Sequence, residues 1–117
     1  MGILDSLKKL LAPSARDERS DLERKLRTAQ NDPQLRQKYA MVLLRRGEIT
    51  GGLSELAKAG ELYEKGGFAT KGIAVIRQIL KYDPANLDAR KRLIGLLALE
   101  GLSGDAQHEL EKTAEHA

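Results

Sequence analysis

The chain has no cysteine and no tryptophan, only four other aromatic residues, and just three prolines in 117 residues. Each shortage excludes something. Without thiols there is no disulfide framework, no cysteine nucleophile and no zinc–thiolate site. Nothing therefore requires an oxidising compartment, and a cytoplasmic location is the expectation. Three tyrosines and one phenylalanine leave little for stacking bases or gripping a planar cofactor. The β-branched and aromatic residues that favour strands number only 16, which argues against sandwiches, barrels and doubly wound sheets. No stretch approaches the length of apolar sequence needed to span a bilayer.

The motifs of catalysis are missing as well. His108 and His116 stand eight residues apart, more than two helical turns, and neither belongs to a metal-ligand motif, so no metal is expected. Gly47-Glu48-Ile49-Thr50-Gly51-Gly52 lacks the Walker lysine–serine and the Rossmann glycine spacing, and reads as a turn. There is no nucleophile elbow. Arg90-Lys91-Arg92 could touch phosphate, but without interleaved aromatics it reads as a solvated helix face rather than a nucleic-acid site. The expectation is a chain with no catalytic residues and no cofactor: not an enzyme.

What is present is helix-forming. Leu, Ala, Glu, Lys and Arg together supply 64 residues, about 55% of the chain, the level found in long or coiled helices. The net charge of +3 divides into +5 through Arg46 and −2 beyond it. Basic residues alternate with acidic ones near Asp21 to Arg27, as on an ordinary solvated helix.

Apolar spacing divides the chain into helices. Ile3, Leu4, Leu7, Leu10 and Leu11 form one stripe of a short amphipathic helix ended by Pro13. Further helices are expected over 17–30, 34–46, from the Gly47–Thr50 turn to Lys65, over 69–81, over 88–100, and from Gly104 onward. Asn31 or Asp32 can cap the 34–46 helix, with Pro33 at its first position. Short loops imply antiparallel hairpins. The domain expectation is an N-terminal helix over 1–12, a linker and flanking helix over 13–31, and a repeat domain over 32–117.

A shift of 34 residues superposes Leu53 on Leu87, Leu62 on Leu96, Gly67 on Gly101, Gly72 on Ala106 and Ile76 on Leu110. A shift of 54 superposes Arg36–Gly47 on Arg90–Gly101. The segment from Thr50 to Lys65 fits both helix patterns, so one helix serves two overlapping hairpins. Gly52, Gly60, Gly72 and Ala106 are expected to let helix backbones approach closely, since glycine inside a helix costs up to about 1 kcal/mol relative to alanine.

Ala59-Gly60-Glu61-Leu62-Tyr63, Gly66-Gly67-Phe68, Gly72-Ile73 and Asp83-Pro84, repeated at a period of 34, resemble the tetratricopeptide repeat family in its bacterial form. The resemblance covers about residues 32–117, and the last unit stops before the family's closing proline. It implies an all-α fold of antiparallel hairpins stacked as a short right-handed superhelix. It also implies a protein-interaction adaptor or scaffold whose concave face holds a peptide or helix of a partner. By register, the groove candidates are Ser54, Glu61, Glu64, Lys65, Asp88, Lys91 and Gly95. Only Lys91 fits the carboxylate clamp of some family members, so such a clamp is not expected. The apolar stripe of the N-terminal helix is a second candidate, folding back on the repeats, docking on a partner or touching a membrane interface. Self-association through an uncapped last hairpin is a further expectation. The alternative is that the chain is the N-terminal repeat portion of a longer bacterial signalling protein.

Overall fold

The computed structural model describes residues 15–101 and 103–116, together with Ile3. These residues form six helices: α1 Ala15–Thr28, α2 Pro33–Arg45, α3 Ile49–Lys65, α4 Ala69–Tyr82, α5 Leu87–Leu99 and α6 Ser103–His116. Connections of three or four residues turn the chain back each time, so successive helices run antiparallel. The expected boundaries hold to within one or two residues. Of the N-terminal stripe only Ile3 is described, and it is exposed; Leu4, Leu7, Leu10 and Leu11 lie outside the described residues.

Local chemistry accounts for where helices begin and end. Asp32 caps α2, its side chain accepting from the backbone N–H groups of Gln34 and Leu35, with Pro33 in the first turn. Asn86 caps α5 by accepting from the Ala89 N–H at 3.0 Å. The turns after α2, α3 and α5 each place a glycine at positive φ: Gly47 at 81°, Gly67 at 80° and Gly101 at 75°. Only glycine adopts that left-handed conformation without steric cost, which is why it closes these helices. The three turns fall 20 and 34 residues apart, and together these intervals give the longer period of 54.

Each helix packs chiefly on its neighbours in sequence, as in a quasi-one-dimensional array. The radius of gyration is 17.7 Å and the molecule measures 60 × 29 × 20 Å, whereas a compact chain of this length would have a radius of roughly 13 Å. The all-α stack of antiparallel hairpins expected from the sequence is what forms. One apolar core runs through it. Leu56, Ile76, Leu93 and Leu97 are completely enclosed, and each contributes about 1.5–3 kcal/mol through burial. Leu22 and Leu26 bury the inner face of α1 where it packs on α2. Side-chain bridges show the layering: Gln37 of α2 donates to Gln78 of α4, Arg77 of α4 donates to Glu109 of α6, and Arg92 of α5 reaches Glu61 and Glu64 of α3. Helices α2, α4 and α6 thus share one layer, and α3 and α5 lie in the other.

Helix α3 does divide its work between two hairpins. In its first half, Gly52 packs against α2, and in its second half Gly60 faces Val75 and Ile76 of α4. The expectation that Gly52, Gly60 and Gly72 are all required for close approach needs correction. A Cβ at position 52 would lie 2.6 Å from Leu44 Cγ and 3.2 Å from the Ala40 carbonyl oxygen. At Gly60 the nearest atoms are 3.7 Å away and at Gly72 3.4 Å, both ordinary contact. Glycine is thus a packing requirement at position 52 alone among these three. Gly52→Ala is expected to destabilise by about 1–3 kcal/mol through overpacking. Gly60→Ala is expected to be neutral or to stabilise by up to about 1 kcal/mol, because alanine narrows the unfolded ensemble. Urea unfolding of the two variants checks this; equal effects would remove the distinction.

Candidate functional site

The residues placed in the groove by register lie on the α3–α5 layer. Ser54, Glu61, Lys65, Asp88, Lys91 and Gly95 are exposed and Glu64 is half-buried. Three of the seven are drawn together by a residue the register did not select. Arg92, on α5, has a side chain one-third exposed. Its guanidinium lies 3.8 Å from Glu61 Oε1, 3.7 Å from Glu64 Oε2 and 3.9 Å from Asp88 Oδ2. Glu61 and Glu64 come from the second half of α3, one helical turn apart, while Asp88 precedes Arg92 by four residues on α5, so all three converge on one face. Ser54, Lys91 and Gly95 stand outside this group. Lys65 shares with Glu61, Arg36 and Lys58 a separate cleft of about 220 Å³ beside the α1–α2 turn.

The α3–α5 face presents exposed side chains over only a small hollow. The hollow between α3, α4 and α5, lined by Leu53, Ala57, Asp88 and Arg92 among others, holds only about 50 Å³. Larger clefts open on the opposite layer. Between α2 and α4 a cleft of about 440 Å³ has Met41, Lys71 and Ala74 in its walls and Tyr63 at its floor. The Tyr63 hydroxyl donates to Gln37 Oε1 at 3.2 Å, and burial pushes the phenol above its usual pKa, with the Asp32 charge adding to the shift. Between α4 and α6 a cleft of about 390 Å³ is lined by Arg77, Leu80, Lys81, Pro84, Arg90, Leu93, Glu109 and Lys112.

The basic run Arg90-Lys91-Arg92 is not the uniform solvated face that composition suggested. Arg90 is 4% exposed. It donates through Nη1 to Glu109 Oε2 at 2.9 Å and through Nη2 to the Pro84 carbonyl at 2.7 Å. The same arrangement occurs 54 residues earlier. Arg36 donates to Glu55 Oε2 at 2.9 Å and to the Gln30 carbonyl at 3.0 Å, and Lys58 stands beside Glu55 as Lys112 stands beside Glu109. Each arginine therefore fastens the helix it sits on to the next helix and to the turn before its own. The signal that could have revealed this was present: arginine, glutamate and lysine all recur at the period of 54. Glu55 and Lys58 lie beyond Gly47, outside the Arg36–Gly47 segment that the shift of 54 superposes.

No family model matches the sequence. A search of curated proteins finds no match either. Among solved structures, the crystal structure of MamA is similar at 15% sequence identity, over 87% of this chain and 68% of that one, with a TM-score of 0.48. The helical-repeat assignment therefore rests on the chain's own helices and register. Among the described residues no helix is long and apolar enough to cross a membrane.

Ion pairs at 3.7–3.9 Å between partly exposed groups contribute about 0–1 kcal/mol. Arg92→Ala is expected to change the unfolding free energy by less than about 1 kcal/mol in chemical denaturation. A larger loss would make Arg92 a structural clasp between α3 and α5 and not part of an available surface.

Proposed function

We propose that the chain is a non-catalytic interaction module of tetratricopeptide type that binds a peptide or helix of a partner protein and works in the bacterial cytoplasm. The reading is supported by the architecture: rigid hairpins in a linear stack hold side chains from several helices at fixed spacing, and such extended surfaces suit protein partners. The observation that carries it is the group around Arg92. Three carboxylates from two helices meet one guanidinium on an open face, at distances too long to matter much for folding. Groups kept so loosely paired are available to exchange partners with an incoming chain. Specificity would come from a few of these side chains, as in most interfaces. The shallow hollow beneath them favours a ligand lying across the α3–α5 face over one inserted deeply.

Affinity capture from the native lysate tests this reading. The wild-type chain is compared with a Glu61→Lys, Asp88→Lys variant whose melting curve is first shown to match. The expected outcome is a set of proteins retained by the wild type and lost by the variant. Recovery of the same proteins by both would remove the α3–α5 face as the binding surface.

A further inference from the structure

The cleft between α4 and α6 has a charge composition that the fold does not require. Its lining carries four cations, Arg77, Lys81, Arg90 and Lys112, against one carboxylate, Glu109. The structural need is met by the buried Arg90–Glu109 pair, as the matching hairpin shows with Arg36 and Glu55. The two surroundings differ at the helix that precedes each pair. Positions 77 and 81 on α4 are Arg and Lys, whereas their counterparts 54 residues earlier on α1 are Glu23 and Arg27. The later hairpin thus replaces a balanced pair of charges by two positive ones.

The arginines differ too. Arg36 uses its Nε to hold the Gln30 carbonyl. Arg90 meets the equivalent Pro84 carbonyl through Nη2, and its buried Nε has no hydrogen-bond partner among the described residues. A buried donor without an acceptor is uncommon in native structures. Leu80, Pro84 and Leu93 add aliphatic surface beside the cations.

We propose that the α4–α6 cleft binds an acidic peptide segment of a partner protein, its carboxylates meeting Arg77, Lys81 and Lys112 and an aliphatic side chain resting on Leu80 and Leu93. This rests on the interaction-module reading for the choice of a peptide, but it uses the layer opposite to Arg92. Charge complementarity selects the occupant: an excess of cations over carboxylates at the cleft rejects a basic segment and attracts an acidic one. Arg77 and Lys81 are both exposed. Arg77 and Lys112 share their one carboxylate, Glu109, with Arg90, at 3.4 and 3.8 Å, which leaves positive charge over for a ligand that approaches without unfolding.

The test uses the full chain labelled with nitrogen-15 and a fluorescein-tagged Glu-Glu-Leu-Glu-Glu peptide, with inorganic phosphate as a separate titrant. The peptide is expected to shift amide resonances over 77–83 and 109–112. An Arg77→Gln, Lys81→Gln variant should bind at least about tenfold more weakly in fluorescence anisotropy with an unchanged melting curve. Lys81→Glu alone should give a smaller loss in the same direction. Affinity should fall as added salt shortens the screening length. Shifts confined to α3 and α5, or binding indifferent to both variants, would overturn the proposal. A response to phosphate with none to the peptide would overturn the assignment of the occupant. Because these variants leave Glu61, Asp88 and Arg92 intact, failure here is distinguishable from failure of the α3–α5 face.

Discussion

The structure depends on one repeated interaction, a largely buried arginine–glutamate pair that joins two helices of a hairpin and the turn leading into them. An ion pair taken out of water is stable only when its remaining donors and acceptors are also engaged. Arg36 and Arg90 satisfy much of that requirement in parallel ways, each meeting a glutamate 19 residues ahead and a backbone carbonyl six residues behind. Each pair ties its helix to the next helix and to the preceding turn at set positions, a constraint on register that apolar contacts, being non-directional, do not impose. Apolar contacts supply most of the stabilisation, and the pairs add direction to it.

This constraint also explains the two periods. Helix α3 carries Glu55, which answers Arg36 behind it, and Gly60 and Glu64, which face the helices ahead. It is the second member of one hairpin and the first member of the next. The glycine turns mark the same overlap, falling at short and long intervals because one helix is shared. A consequence is that α2, whose sequence matches α5, lies in the layer of α4 and α6 and not in that of α5. The α3–α5 face is correspondingly narrow, and the wider clefts open on the other side.

Much of this was legible in the sequence. Helix positions followed from apolar spacing, and the caps at Asp32 and Asn86 and the stops at Gly47, Gly67 and Gly101 follow from local backbone chemistry. The sharing of α3 was visible in its double match. Other features depend on three-dimensional context. A glycine reads the same whether a Cβ would strike Leu44, as at position 52, or find room, as at 60 and 72. Arg90, Lys91 and Arg92 are chemically alike in sequence, yet one is enclosed, one is in solvent and one reaches across to α3. Helical rotation of about 100° per residue separates their directions, and only packing decides which direction is inward. Seven groove residues could be named by register; the arginine that gathers three of them could not.

Double-mutant cycles at both pairs, followed by urea unfolding, test the central claim most directly. Arg90→Met and Glu109→Leu are made singly and together, and likewise Arg36→Met and Glu55→Leu. Removing either glutamate should cost about 3–5 kcal/mol by stranding a buried arginine. Removing either arginine should cost less, because Arg77 and Lys112 still face Glu109 and Lys58 still faces Glu55. The paired change should cost less than the glutamate change alone. Coupling above about 1 kcal/mol is predicted in both hairpins, the larger at the more deeply buried Arg90–Glu109. Single effects that simply add, to within about 0.5 kcal/mol, would contradict the account.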